Sequence, residues 1–221
     1  MAEAAEETVR RGRGRPPRLS REQIVRSAAE LAVREPEVAL TVKRVAEAVG
    51  SAPMALYRYF PDRDDLLQAV ADRVMADAQH KDLPGGTWQE RLRAWMHDSR
   101  DYLLPYRQLL PYMAATQQPA RVSSLVTLTR LLRPLRLAED DLALAVTLIG
   151  STVIGHAVYE THRGPVSAHK LDALSEALAR YPQEEREAVA PLLPRLPGAQ
   201  NRLYDVVVDR TIAAIEALAA R

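Results

Sequence analysis

The strongest constraint on the fold is a spacing. Between Thr41 and Phe60, two short helical patterns are separated by only Gly50, Ser51 and Ala52. Val42, Val45, Ala46 and Val49 share one face of the first, Thr41 is a fitting N-cap, and Gly50 supplies a residue that tolerates a left-handed backbone. The second pattern runs from Pro53 to Phe60 and directs Leu56 and Phe60 inward. Small Ala46 lets the two approach closely. Upstream, residues 20–23 (SREQ) form a capping box, and Ile24, Val25, Ala28, Ala29, Leu31 and Ala32 make an apolar stripe that Pro36 ends. Three helices of these lengths fit a helix-turn-helix, whose outward face would carry Pro53, Met54, Ala55, Arg58 and Tyr59 toward a major groove.

A small helical subdomain that merely packs satisfies the same pattern, so the distribution of charge matters. The whole chain of 221 residues is nearly neutral, at formal net charge +1. Its halves are not. Residues 9–63 hold 12 Arg or Lys against six Asp or Glu, whereas residues 64–221 hold 18 against 20. A basic module attached to a neutral body is the pattern expected when one end faces a polyanion.

The remainder reads as helix almost throughout, because Ala and Leu dominate and only one Phe and two Trp are present. Asp62 caps a helix expected to reach about Gln79, followed by a connector around Pro84 and Gly86. Residues 87–90 (TWQE) open the next helix, to about Leu104. Pro105 and Pro111 are expected to bracket a short helix, and Pro119 to start another that reaches Arg133. Residues 139–162 form the longest apolar helix, residues 167–180 one more, and residues 182–197 a proline-broken excursion. Asn201 is expected to cap the last helix, with Leu203, Val206, Val207, Thr211, Ala214, Ile215 and Leu218 on its apolar side. No stretch approaches 18 apolar residues free of charge and the acidic start is not a secretory signal, so no membrane association is expected. With no cysteine, thiolate chemistry is excluded and a cytoplasmic protein is the default.

Residues 40–50 (LTVKRVAEAVG), 53–60 (PMALYRYF) and 61–67 (PDRDDLL) together resemble the TetR family of bacterial transcriptional regulators. The resemblance covers residues 20 to about 75 and is carried by the Gly-to-Tyr spacing, the Leu-Tyr pair ending in Phe, and the Leu-Leu start of the fourth helix. It implies an all-α protein in which residues 20–65 are the helix-turn-helix domain and residues 66–221 a helical ligand-binding and dimerisation body. Residues 1–19, rich in Arg, Gly and Pro and with too few apolar residues to bury, are expected to be a disordered DNA-contacting tail.

The resemblance also assigns roles. Lys43 and Arg44 lie on the second helix, where a lysine can donate to guanine. Pro53, Met54 and Ala55 meet bases, where they can touch thymine methyls only. Tyr57 looks like a phosphate-contacting tyrosine, with Thr41 and Arg63 as further backbone contacts and Arg58 and Tyr59 on the same face. The family usually has Val or Ile after the glycine. Here Ser51 stands there, and it is expected to cap the third helix one residue early. In the tail, Arg13 and Arg15 within residues 13–16 (RGRP) resemble a minor-groove hook; non-specific phosphate attraction is the alternative.

The body offers little chemistry. His156 and Glu160 lie one helical turn apart, yet no metal motif, phosphate loop or nucleophile elbow accompanies them, so neither metal nor other cofactor is expected and an enzyme is the outlying alternative. Trp95, Tyr102, Tyr106, His156 and Tyr159 are the expected wall of a small-molecule pocket, although ordinary core packing explains each alone. Leu144, Thr147, Leu148, Ser151, Thr152 and Gly155, with Val207, Thr211, Ala214 and Leu218, form stripes suited to a four-helix homodimer interface. The reading is therefore a dimeric, ligand-responsive repressor on palindromic double-stranded DNA, with a regulator lacking any small-molecule effector as its runner-up.

Overall fold

A computed structural model describes residues 19–78, 85–114, 119–163 and 168–221. Arg13, Arg15 and the rest of the tail, and the end of the fourth helix at Gln79, lie outside the described residues. Among those described, every regular element is helical. Helix α1 (Arg21–Arg34) begins at the expected capping box: the Ser20 hydroxyl accepts from the Gln23 amide at 3.1 Å, and the Gln23 side chain accepts from the Ser20 amide at 3.0 Å. Such a cap contributes about 1 kcal/mol. Ile24, Val25, Ala28, Leu31 and Ala32 are buried on the face that meets α2 (Val42–Ala48) and α4 (Arg63–Asp77).

The turn after α2 closes with paired bonds, Gly50 N–H to Glu47 C=O and Ser51 N–H to Ala46 C=O, while Gly50 adopts φ 64°. This spends Ser51 as the end of α2, so the expected early cap is corrected. Helix α3 (Pro53–Leu56) starts after Ala52 with no side-chain cap, its Pro53 occupying the first position, where no amide hydrogen is needed. It is also shorter than expected. Residues 57–59 are a turn, closed by bonds from Tyr59 and Phe60 to the Leu56 carbonyl.

The body is built on α5 (Trp88–Leu103), α7 (Val122–Leu132), α8 (Glu139–Arg163) and α11 (Leu196–Ala219), with α5 packed against the other three. Shorter pieces are α6 (Leu110–Met113), α9 (Ala168–Leu178) and α10 (Gln183–Val189). Thr87 and Glu90 form the second capping box. Pro111 falls inside the first turn of α6 and does not bracket a helix before it; residues 104–106 are instead a tight 3-10 turn. Asn201 is likewise interior to α11, which starts at Leu196 with Pro197 in its first turn.

The buried face of α11 is Tyr204, Val208, Thr211, Ile212, Ile215 and Leu218. Val206 is half exposed and Ala214 exposed. Three consecutive valines at 206–208 make both registers apolar, so only packing against α5 and α8 selects one. Side chains link α5 and α11: Arg93 pairs with Asp209, His97 faces Asp205 at 3.5 Å, and Gln89 donates to Glu216 at 2.9 Å.

The expectation that no stretch approaches 18 apolar residues free of charge also needs correction. Residues 142–159 of α8 contain no Asp, Glu, Lys or Arg, and α8 has a window of mean hydropathy 1.7. Its Ala145, Ile149, Val153, Ile154 and Ala157 are core residues of this bundle.

Candidate functional site

Helices α2 and α3 present the face expected to read DNA. Leu40, Val45, Ala46, Leu56 and Phe60 are buried beneath it, which fixes the two short helices although neither is long enough to be stable alone. Lys43, Pro53, Met54, Tyr57 and Arg58 are exposed, Met54 at 75%, and Ala55 is half-buried between them. An exposed Met on so short a helix leaves its apolar surface available to a partner. The Thr41 hydroxyl caps α2 by accepting from the Arg44 amide at 3.3 Å.

Two of the residues expected at DNA also make bonds within the head. The Arg44 guanidinium donates to the carbonyls of Val38 and Ala39 at 3.0 and 2.9 Å and pairs with Glu35, which ties it to the loop between α1 and α2. The Tyr59 hydroxyl donates to the Leu19 carbonyl at 2.5 Å, anchoring the segment before α1. Arg63 donates through Nε to the Leu40 carbonyl at 3.1 Å while its Nη1 lies 3.7 Å from Asp64. Its side chain remains about half exposed at the start of α4.

A contact that the sequence reading missed joins this head to the body. Gln108 accepts from the Leu40 amide at 2.7 Å and donates to the carbonyls of Pro36 and Val38 at 3.0 and 2.7 Å. Three bonds to one loop satisfy its whole amide. Nearby, Arg107 pairs with Glu37 at 2.5 Å and the Tyr112 hydroxyl donates to Asp64 at 2.6 Å. Nothing in an isolated Gln marks a partner about 70 positions away.

Between α5, α7 and α8 lies a cavity of about 660 Å³, in the size range of small-molecule sites. Trp95 and Tyr102 line it, as expected. Met75 and Ala78 at the end of α4 line it too, together with Ser99, Arg121, Leu128, Val153 and Ile154. The Tyr102 hydroxyl donates to the Val74 carbonyl at 3.0 Å, so the cavity wall is bonded directly to α4. Burial pushes the Tyr102 phenol up to about 12, with Tyr106 and Asp77 acting in the same direction.

Tyr106, His156 and Tyr159 do not line this cavity. Tyr106 lies in the 3-10 turn with its ring 5.8 Å from that of Tyr102. On α8 the helical turn points Val146, Gly150, Val153 and Ile154 at the cavity and carries His156 toward α11, where its ring meets Tyr204 at 4.5 Å. Tyr159 is 40% exposed. Thr147 and Ser151, expected on an interface stripe, line the cavity, and Thr152 contacts Thr211 at 3.3 Å.

Tyr204 is the hub the sequence reading missed. Its hydroxyl donates to the Met96 carbonyl at 2.6 Å, Arg100 lies 4.4 Å over its ring, and His97 approaches edge-on at 5.0 Å. Burial lowers the His156 pKa; Glu160, 3.8 Å away, opposes this, while Arg100 and Arg163 reinforce it. Among the described residues, no group of three His, Asp or Glu side chains is arranged to hold a metal ion.

A three-helix reading head, joined by α4 to a helical body with a cavity, defines a helix-turn-helix regulator. The chain belongs to the tetR family of bacterial regulatory proteins: that family's N-terminal model matches residues 24–70, and the tetracyclin repressor-like C-terminal domain matches residues 81–202. It is 31% identical over 155 residues to the HTH-type transcriptional repressor DrrR1 of Streptomyces coeruleorubidus, a match covering 67% of this chain and 56% of that repressor. Its fold is similar to ActR of Streptomyces coelicolor, solved in complex with actinorhodin, at a TM-score of 0.74 and 22% identity over 92% of this chain and all of that one. It is also similar to BioQ with its double-stranded DNA operator, at a TM-score of 0.55 and 24% identity over 66% of this chain and 90% of that one.

Proposed function

We propose that the protein is a homodimeric, ligand-responsive transcriptional repressor that works in the cytoplasm on a palindromic operator, its body being a sensor and not an enzyme. The observation that carries this reading is α4. Arg63 at its start adjoins the reading face, and Met75 and Ala78 at its other end line the cavity. A helix of 15 residues spans about 22 Å, so a small tilt imposed at the cavity displaces the reading face. DrrR1 is a repressor, ActR was crystallised with actinorhodin and BioQ with its operator, and all three agree with these roles.

On DNA, Lys43 donates to a base edge and Pro53, Met54 and Ala55 contact thymine methyls, while Thr41, Tyr57, Arg58 and Arg63 hold phosphates. Arg13 and Arg15 extend the contact into an adjacent minor groove. Arg44 and Tyr59 brace the head from within, as their bonds indicate. The body relieves repression because its effector binds better to the head spacing that does not match successive major grooves; equal affinity for both spacings would shift nothing.

The test begins with an operator selected from genomic fragments. Replacing Tyr57 or Arg63 weakens all duplexes alike, whereas replacing Lys43 also relaxes sequence preference. Operator affinity is then measured with and without an effector, and effector affinity with and without operator. Linkage requires the two ratios to agree, with relief of about 5- to 150-fold. Tight effector binding with both ratios equal to one rejects the sensor role, and unchanged affinity in all three variants rejects the docking.

A further inference from the structure

We propose that residues 168–196, a helical arm at one end of the body, dock on a second copy of this chain, in the apolar, arginine-rimmed groove between α7 and the start of α8. This rests on the homodimer reading above and adds to it a contact outside the α8 and α11 faces.

The arm consists of α9, α10 and the 3-10 turn at residues 193–195. From Lys170 to Leu196 no residue is buried, and only Leu171, Leu178 and Leu193, where α9 meets that turn, are half-buried. Leu174, Tyr181 and Leu192 are 46%, 59% and 54% exposed, and Val189 and Leu196 are exposed with them. A segment of this length without one buried side chain is not held by the core of its own chain, and its apolar residues form a surface that calls for a partner. Residues 172–187 also carry five Asp or Glu against two Arg. Glu184 and Glu185, in the first turn of α10, have no ion-pair partner among the described residues.

The groove has the opposite charge. Leu125, Val126, Leu132, Leu137 and Leu142 line a space of about 600 Å³ that Arg130, Arg133 and Arg136 border. All three arginines are exposed, and none has a hydrogen-bond or ion-pair partner for its guanidinium among the described residues. Residues 121–137 contain no acid, and Glu139, Asp140 and Asp141, which follow in the first turn of α8, do not line the groove. Arg136 takes a left-handed backbone, φ 49°, that glycine would adopt at less cost, so this turn sets a cation beside the groove against its backbone preference. Apolar contact over such a floor supplies affinity, while opposite charges around it fix partner and register. The chain's own arm is rooted at the far end of α8. Arg163 at the end of α8 donates to Asn201 near the start of α11 at 3.4 Å, and Arg221 after the end of α11 lies 4.0 Å from Asp141 at the start of α8. Both roots of the arm therefore stand about 32 Å along the helix from Leu142 in the groove. A two-fold axis across α8 pairs it antiparallel with its copy, which brings the arm of each chain to the groove of the other.

Because the chain has no cysteine, crosslinking reports only thiols that are introduced. Two differently tagged full-length chains are co-expressed, one carrying Glu185→Cys and the other Arg130→Cys, Arg133→Cys or Arg136→Cys, and treated with a short bismaleimide. We expect a covalent heterodimer carrying both tags. With both substitutions in one chain, co-expression with excess cysteine-free chain should dilute the crosslink away. A crosslink that survives dilution within one chain puts the arm on its own groove and overturns the proposal. No crosslink in a protein that sediments as a dimer also overturns it and leaves the homodimer reading standing. A protein that sediments as a monomer throughout removes the homodimer reading, and the arm contact with it. Arg130→Glu with Arg133→Glu, and separately Glu184→Arg with Glu185→Arg, should each weaken dimerisation about tenfold with helical content kept, and all four together should recover most of that loss. Two losses that simply multiply in the combined variant would overturn the pairing of arm and groove.

Discussion

Gly50 has a backbone angle of φ 64° and open space where a Cβ would stand, so its substitution is governed by the backbone alone. Gly50→Ala is expected to destabilise the protein by about 1 kcal/mol, and Gly50→Asn by less, because Asn tolerates the left-handed region. Urea unfolding measures this; an alanine variant as stable as the parent would show that the turn relaxes to another conformation. His156 makes a different kind of prediction. Burial beside Tyr204 holds its folded pKa below the unfolded value, so the unfolded chain binds more protons and stability falls as pH drops through about 6.5. Melting temperature should decline between pH 7.5 and 5.5, and His156→Gln should flatten that decline. An unchanged slope would assign the titration to other groups.

At the scale of elements, the head is held to the body by α4, by the Gln108 side chain and by the Arg107–Glu37 and Tyr112–Asp64 contacts beside it. Gln108 follows the 3-10 turn at the end of α5, and α5 carries Trp95, Ser99 and Tyr102 into the cavity. Cavity and reading head are thus joined twice, by α4 through Tyr102 and by the loop at residues 36–40 through Gln108. Gln108→Leu removes three bonds while nearly keeping volume. It should cost about 1–3 kcal/mol for the groups left unsatisfied and speed hydrogen exchange at the Leu40 amide. Unaltered exchange at Leu40 would mean that the loop holds itself.

For the whole molecule, the apolar surface outside the core requires an account. Leu144 on α8 and Val206 on α11 are 55% and 50% exposed, and Gly155 and Ala214 are exposed on the same two helices. Isolated apolar residues on a surface are ordinary, but these lie on adjacent helices that carry much of the body. The proposed homodimer would bury this surface by pairing α8 and α11 with their copies in a second chain, which would supply the second reading head that a palindrome needs. Leu144→Glu combined with Val206→Glu should give a monomer in sedimentation, with operator affinity lost and helical content kept. A stable dimer in that variant would place the interface elsewhere.

Local chemistry made much of this legible in the sequence. The Ser20 and Thr87 capping boxes, the Thr41 and Asp62 caps, the turn at Gly50 and the buried stripes of α1 and α2 each depend on residues within a few positions of one another, so their spacing alone specifies them. The reading face followed because it is what remains when those stripes turn inward. Tertiary structure alone decided the rest. It chose between two apolar registers on α11, turned His156 away from the cavity toward Tyr204, engaged Arg44 and Tyr59 as braces, and brought Gln108 to a loop far away in the chain. It also brought Arg121 and Ser99 to the wall of one cavity. A helix that is apolar on several faces carries no local signal for which face meets which neighbour; packing volume and the need to satisfy buried polar groups make that choice once all the helices are present.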